Sequence, residues 1–435
     1  MFAVMTVAGS DSGGGAGAQA DARTFAACGV FGTSIITAIT AQNTLGVLKV
    51  YNLPVKIVVA QMQAVFSDID VRCVKIGMLA TAATAKAVVN ELVRHKIPIV
   101  FDPVMTAEAG GQLFVGELRE ALASLLPEAT VVTPNVREAE AISGVAIRSI
   151  DDMKRAAVEI YAAGPHSVIV TGGHMAGTDV LYDGDFMMLR GRLIKAGTHG
   201  AGCTFSAAVT AFRARGYSVR QSASMAKSFV TDAIRESAVV GSGAGVVNQV
   251  ARTSEMAARY LAVLDLEAAL RTIKTINLEL IPEVGSNLAV AITGAKKLTD
   301  VAAVKGRIVR DGQVIKPVGC VAFGASRNMA RAILAALPYD ASIKSAMSVR
   351  YSDKVFSACQ ELNLRAESFE RTEDFEGVNI VESGMAHAIE RAVARSSAVP
   401  DVMYSRTGGK GPKALVFGQS AQQVAKTMVK ISSKL

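Results

Sequence analysis

The chain of 435 residues has no tryptophan, five histidines, five cysteines and only 5% aromatic residues. Cys28, Cys73, Cys203, Cys320 and Cys359 are odd in number, widely scattered and without C-x-x-C spacing, which excludes a disulfide framework and a zinc site. At least four of them are expected to be buried small hydrophobes. Charged residues are scarce at 19% while half the chain is apolar, a balance that excludes a disordered chain and points to tightly packed domains. No apolar stretch approaches the roughly 20 residues of a membrane span. The opening MFAVMTVAGSDSGGG has no basic segment ahead of its apolar run, which breaks at Gly9 to Gly15. A cytoplasmic protein without a membrane partner is expected. The net charge of +8 is carried by no basic run longer than pairs such as Lys296-Lys297 and no aromatic ladder, so anionic small molecules fit better than nucleic acid.

The length exceeds what one hydrophobic core usually serves, so two domains are expected. Up to about residue 235, short apolar runs (FAVMTVAGSD, VRCVKIGM, IPIVFDPVM, ATVVTPN, HSVIVTGGH) alternate with Ala-rich helical segments. Continuous apolar runs between helices predict an α/β fold with a parallel sheet covered on both faces. Ligands then bind beyond the carboxyl ends of the strands, where Asp11, Met78, Asp102, Asn135 and Gly172 stand. From Val239 to Ser254 the text turns small and glycine-rich, and a new set of runs begins near Asn287. The expected domains are 1–250 and 262–435, the second a smaller α/β domain.

Three features of the first domain carry chemistry. The loop Gly9–Gly17 lies between a strand and a helix expected from Gln19 to Gly29. It lacks the lysine of a P-loop and does not fit G-x-G-x-x-G, yet it lets backbone approach a flat ligand, with Asp21 and Gln42 as hydrogen-bonding partners. The bland alternative is a flexible turn beside a surface acid. Thr198-His-Gly-Ala-Gly-Cys-Thr204 opens an apolar helix, and backbone N–H groups there form an anion hole for a transferring phosphoryl group. Cys203 falls in the first turn, where the helix field is expected to lower the thiol pKa and make it a base; simple packing is the alternative. Asp102 and Glu138, just past strand ends, suit Mg²⁺ against ATP phosphates, although Glu138 taken alone reads first as helix capping and first-turn charge.

The segments AGSDSGGGAGAQAD, ITAITAQNT, KIGML, DPVM, TPNVREAE and GTHGAGCT resemble, in order and spacing, the hydroxymethylpyrimidine/phosphomethylpyrimidine kinases of the ribokinase-like superfamily, over residues 1 to about 240. The cysteine after GAG distinguishes this branch. The resemblance implies that Gln42 hydrogen-bonds the aminopyrimidine in a pocket shaped by Gly9, Asp21 and Met78. It implies that Gly200, Gly202 and Cys203 supply anion hole and base, and that Asp102 and Glu138 serve Mg-ATP beside Asn135 and Thr171. Thr171 departs from the family's usual lysine, which leaves one phosphate contact unassigned.

The second domain has one histidine, His387, between alanines on a helical stretch, where a structural role is expected. Cations stand at its turns: Arg307 after Gly306, Arg327 at a helix start, Arg350 in SVRYSD, and Arg406 and Lys410 in RTGGKGPK. As a set they suit phosphate or diphosphate groups. PEVGSNLAVAI, VKGRIV, VGCVAFGASRNMARAIL, AMSVRYS and PDVMYSRTGGKG resemble the archaeal-type thiamine-phosphate synthase domain found fused behind pyrimidine kinases, over about 262 to 435. That resemblance implies condensation of hydroxymethylpyrimidine diphosphate with thiazole phosphate, with Arg307 favoured to meet the leaving diphosphate and Arg327, Asn328, Arg350 and Lys410 on the substrates. Asn328 stands where the family has histidine, so a domain that senses thiamine phosphate without making it is the alternative. A third reading is another ribokinase-like kinase, such as one for pyridoxal, with an unrelated tail. A homo-oligomer is expected.

Overall fold

The structure, a computed structural model, describes residues 1–105, 118–173, 175–194, 196–369, 384–396, 398–406 and 413–435. It divides into two units, Met1–Thr253 and Ser254–Leu435.

In the first unit the apolar runs become strands because each can bury both of its faces. The strands are β1 (Ala3–Asp11), β2 (Phe31–Asn43), β3 (Gly46–Asn52), β4 (Val71–Ile76), β5 (Ile99–Phe101), β6 (Val131–Val132), β7 (Val168–Val170), β8 (Asp179–Tyr182) and β9 (Phe186–Leu189). Among the described residues they form one sheet in the order β3-β2-β1-β4-β5-β6-β7-β8-β9. Val4, Cys73, Val100, Val131 and Ile169 enter one core with helices α1 (Gly17–Ala27), α7 (Ala201–Ala214) and α8 (Val219–Arg235). Their neighbours Met5, Val74, Phe101, Val132 and Val168 enter the other. That second core is covered by α2 (Val55–Phe66), α3 (Ala82–Val93), α4 (Leu118–Leu125), α5 (Val136–Ser143) and α6 (Ile150–Ala162). Successive strand residues point to opposite faces, which is why these strands read as unbroken apolar runs.

The sheet departs from an all-parallel one at its margins. From β2 across to β7 neighbours run parallel, but β3, β8 and β9 pair antiparallel. Only two residues separate β2 from β3. A connection that short makes a hairpin and cannot make a crossover. Helix α1 starts at Gly17, two residues before the expected Gln19.

The second unit is built on a sheet ordered β14-β11-β10-β15-β18-β17-β16, with a separate β12-β13 hairpin. Its strands are β10 (Leu288–Ala291), β11 (Val301–Val304), β12 (Ile308–Asp311), β13 (Val314–Pro317), β14 (Val321–Phe323), β15 (Ser345–Arg350), β16 (Ala366–Ser368), β17 (Val402–Ser405) and β18 (Lys413–Gly418). Pairing is antiparallel except for β16 with β17. Leu288, Val290, Met347 and Val416 pack toward α9 (Ala251–Thr272) and α13 (Ala421–Ser432), beside α11 (Asp353–Glu361). Ala289, Ala291, Ala346 and Phe417 pack toward α10 (Arg327–Ala336) and α12 (Gly384–Ser396). Three cysteines are buried rather than four, since the Cys203 residue is partly exposed and Cys320 is exposed. Among the described residues, no helix is long and apolar enough to cross a membrane.

Candidate active site

The strand order of the first unit lays the residues expected at the carboxyl ends in a row. Gln42 ends β2, Gly9 and Asp11 end β1, Met78 follows β4, Asp102 follows β5, Asn135 follows β6 and Thr171 follows β7. At one end of the row Gly9 lies against Met78, where a Cβ would come 2.9 Å from the thioether sulfur. Met78 is held by Thr37, whose hydroxyl donates to its carbonyl at 2.6 Å. Ser12 ties the glycine loop to β2, donating to the Gln42 carbonyl at 2.7 Å and accepting from the Gln42 N–H at 2.8 Å. The Gln42 side-chain oxygen accepts from Thr40 at 3.1 Å, which leaves its amide NH₂ to donate.

The two glycine loops, 180 residues apart in sequence, interlock. Gly200 has φ of +84° and caps α7; a Cβ there would overlap the Gly15 carbonyl. A Cβ at Gly15 would in turn overlap the His199 ring, so Gly200 admits only glycine and a side chain at Gly15 would have to displace the imidazole. Asp11 organises the first loop by accepting from the N–H groups of Gly13 and Ala16, each at 2.8 Å. His199 Nε2 stands 3.7 Å from the same carboxylate, and both side chains are buried. Beyond them Gly202 faces open space at the start of α7. The Ala201 N–H is taken by the Thr198 carbonyl at 2.9 Å, and the unfilled space at Gly202 leaves room for an anion at the helix start. The sequence placed Asp11 at a strand end without giving it a task and did not single out His199, although each stands inside a glycine motif.

Beneath the loops lies a buried charge cluster that the sequence reading did not assemble. Lys75, on β4, points to the face shared by α1 and α7, and its ammonium lies 2.9 Å from both carboxylate oxygens of Asp21. Thr6 donates to Asp21 at 2.6 Å. Asp102 Oδ2 is 4.0 Å from Lys75 Nζ and accepts from Ser206, one turn past Cys203 on α7, at 2.9 Å. Burial opposes charge on Lys75, but the carboxylates of Asp21 and Asp102 hold it protonated above its usual range. A lysine inside an apolar strand run was the available signal, since lysine is rarely buried unless paired.

This cluster corrects two expectations. Asp21 does not shape the pyrimidine pocket: it is 0% exposed and its carboxylate is occupied by Thr6 and Lys75. Cys203 is not a thiol lowered by the helix field. Burial pushes it up to about 12, and the charges of Asp21 and Asp102 add to this against the pull of Lys75. Two nearby carboxylates and desolvation outweigh one helix terminus.

Glu138 occupies the third position of α5 and forms a capping box with Asn135: each accepts the other's backbone N–H, at 2.9 and 3.0 Å. It is buried as well, and burial together with the charge of Asp102 pushes its carboxyl up to about 8. Capping and a second role are therefore compatible in one side chain. Two buried acids, one of which raises the other's proton affinity, are the donor chemistry a divalent cation would relieve. Among the described residues no group of three acids, histidines and cysteines converges, so phosphate and water oxygens would complete such a shell. Asn135 and Thr171 pair as an isolated parallel bridge at the far end of the row. There Asp179 accepts from the Gly172 N–H at 2.9 Å and pairs with Lys227 at 2.8 Å.

In the second unit the predicted cations divide between two edges. Arg307 lies three residues past β11, Arg350 ends β15 opposite Lys413, and Arg406 follows β17, all on the edge where β10 begins. Arg307 donates to the Val284 carbonyl. Arg406 donates to the Tyr351 hydroxyl at 3.1 Å, over a Tyr351–Tyr404 stack with centroids 4.9 Å apart. Arg327 and Asn328 follow β14, whose last residue Phe323 pairs with Ala302 near the start of β11. They lie off the opposite edge, because β14 runs against β11, and so do not join the other three. Lys410 lies outside the described residues. His387 is exposed on α12.

Residues 11–248 match the family described as phosphomethylpyrimidine kinase, and residues 265–430 the one described as thiamine-phosphate synthase ThiN. The hydroxymethylpyrimidine/phosphomethylpyrimidine kinase of Rhizobium meliloti (strain 1021) is 46% identical over 253 residues, 56% of this chain and 95% of that protein. The thiamine biosynthesis bifunctional protein ThiED of Geobacter sulfurreducens is 42% identical over 257 residues, 57% of this chain but 52% of that protein. Among solved structures, an ADP complex of Bacillus subtilis pyridoxal kinase superposes with a TM-score of 0.54 at 37% identity, covering 58% of this chain and 99% of that one. Staphylococcus aureus pyridoxal kinase in complex with pyridoxal gives 0.54 at 36% identity, covering 58% and 95%. These likenesses give the first unit the ribokinase-like α/β fold.

Proposed function

We propose, for a chain that belongs to the phosphomethylpyrimidine kinase family, that the first unit moves the γ-phosphoryl group of ATP twice, to hydroxymethylpyrimidine and then to its monophosphate. In each transfer an acceptor oxygen bonds to the γ-phosphorus, the bond to ADP breaks and the acceptor gives up its proton. The observation that carries this reading is the row of strand ends. Gln42, Gly9 and Met78 line one end, Asn135 and Thr171 the other, and the start of α7 stands beside Asp102 between them. A flat acceptor at one end and a nucleotide at the other bring hydroxyl and γ-phosphate together over the anion hole.

Each residue then has a task. Gln42 reads the aminopyrimidine by its amide, and Gly9 admits the ring against Met78. The N–H groups of Gly200, Gly202 and Cys203 face the charge of the transferring group. Asp102 and Glu138 would hold Mg²⁺, which supplies charge neutralisation to the ATP phosphates. Positive charge arriving with the nucleotide offsets Asp102, one of the carboxylates that raises the Cys203 thiol, and so favours Cys203 as the proton acceptor. Lys75 and Asp21 support this arrangement from below and touch no substrate.

For the second unit we propose condensation. The thiazole nitrogen bonds to the pyrimidine methylene carbon as the bond from that carbon to diphosphate breaks. The edge carrying Arg307 and Arg350 suits the departing diphosphate. The product of the first unit is then the substrate of the second. The separation of Asn328 from these cations favours one alternative, a second unit that binds thiamine phosphate without making it. Product analysis of purified protein given hydroxymethylpyrimidine, thiazole phosphate and Mg-ATP separates the readings. Thiamine phosphate supports both activities, pyrimidine diphosphate alone supports the sensor, and phosphorylation of pyridoxal in place of the pyrimidine overturns the substrate assignment.

A further inference from the structure

Two loops must keep register for the proposed transfers, the one beside the acceptor (Gly9–Gly17) and the one that starts α7 (Thr198–Gly202). Their backbones meet at Gly15 and Gly200, and a side-chain contact between Asp11 and His199 bridges them. Asp11 is committed to the first loop by its bonds from Gly13 and Ala16, and Gln19 on α1 accepts from its backbone N–H at 2.9 Å. His199 is committed to the second by its place next to the cap of α7. Only 5% of His199 is exposed, and its ring fills the space that Gly15 leaves empty.

The walls of the acceptor pocket do not depend on this contact. Gln42 is held by Ser12 and Thr40, and Met78 by Thr37. The His199 backbone is anchored separately, its N–H donating to Gly245 and its carbonyl accepting from Val247, both at 3.1 Å. Loss of the imidazole therefore leaves the acceptor loop tied to Gln42 through Ser12, and frees the start of α7 to slide against that loop.

We propose that His199 is a positioning residue that, through Asp11, locks the acceptor loop to the start of α7 and so holds the acceptor oxygen in line with the anion hole. The proposal rests on the kinase reading of the first unit. Reacting atoms are aligned to a fraction of an ångström in productive complexes, and a displacement of about 1 Å costs on the order of 10²-fold in rate. A loose lock thus lowers turnover rather than affinity.

A matched pair of variants tests this in the full chain. The amide nitrogen of glutamine occupies the position of Nε2 and reaches Asp11, whereas that of asparagine stops short. With hydroxymethylpyrimidine and Mg-ATP, His199→Gln is expected to keep kcat within about threefold of the unsubstituted protein. His199→Asn is expected to lose on the order of 10- to 100-fold in kcat, with KM for the pyrimidine changed by no more than about threefold. Equal kcat in the two variants overturns the proposal, as does an asparagine variant whose loss lies in KM or in the circular-dichroism melting transition. If the unsubstituted protein phosphorylates no pyrimidine, the kinase reading fails first. The variants are then compared on whichever acceptor the protein does phosphorylate, where the same contrast is expected.

Discussion

Lys75 on β4 and Asp21 on α1, 54 residues apart, meet with the ammonium 2.9 Å from both carboxylate oxygens and neither side chain exposed. A buried pair of this kind is held at the expense of desolvating both ions, so its removal is asymmetric. Lys75→Met leaves Asp21 without a counter-charge and is expected to destabilise the first unit by about 3–5 kcal/mol. The double variant Lys75→Met/Asp21→Asn is expected to recover most of that loss. Urea unfolding followed by circular dichroism decides it, and a double variant no better than the single one contradicts the pairing.

The Glu138 carboxyl gives the protein a pH signature. Its value is about 8 in the fold against 4.5 for an unperturbed glutamate, raised by burial and then by Asp102. A raised acid contributes stability that is fully present below the unfolded value and is lost as pH climbs through the folded one. The melting temperature in the absence of nucleotide is therefore expected to fall between about pH 5 and pH 8 through this group. Glu138→Gln keeps the capping box, because a glutamine oxygen accepts the Asn135 N–H as well, and cannot ionise. Its melting curve should decline less over that range, and parallel curves for the two proteins would remove Glu138 from the account.

Cys203 is expected to resist alkylation despite its place at a helix start. With the thiol pushed up to about 12, little thiolate exists near neutral pH. Iodoacetamide treatment followed by peptide mass spectrometry should find the exposed Cys320 modified well ahead of Cys203. Preferential labelling of Cys203 would show that the helix field wins after all. In turnover, Cys203→Ala is expected to lose on the order of 10²-fold while pyrimidine binding survives, the scale of a positioned proton acceptor.

The split of cations in the second unit predicts unequal substitutions. Supplied with pyrimidine diphosphate and thiazole phosphate and no ATP, the full chain reports the condensation alone. Arg307→Ala is expected to lower thiamine phosphate formation by on the order of 10²-fold, since charge on the leaving diphosphate must be met. Arg327→Ala, off the opposite edge, is expected to change it by less than about threefold. Similar losses at both positions would place the two arginines in one site and refute the division.

Some of this was legible without coordinates. Predominantly apolar runs such as VRCVKI and IPIVF, alternating with helical segments, point to strands buried on both faces, and each is followed by a glycine or an acid, Gly77 and Asp102, so the carboxyl edge of the sheet could be written down in order. The antiparallel β3, β8 and β9 were not, because β3 and β9 are exposed or mixed in character and β8, though buried, is only four residues long.

The sequence alone determined which residue types stand at the carboxyl edge of the sheet: glycines where backbone must approach backbone, acids after strands, and the cysteine in the first turn of α7. Electrostatics required the tertiary structure. Whether Asp21 lines a pocket or neutralises a lysine, whether Cys203 is lowered or raised, and which arginines share an edge all depend on distances between segments far apart in the chain. Desolvation and Coulomb interactions depend on burial and on separation in space. A motif fixes neither, because the partners that set them, Lys75 for Asp21 and Asp102 for Cys203, come from other strands.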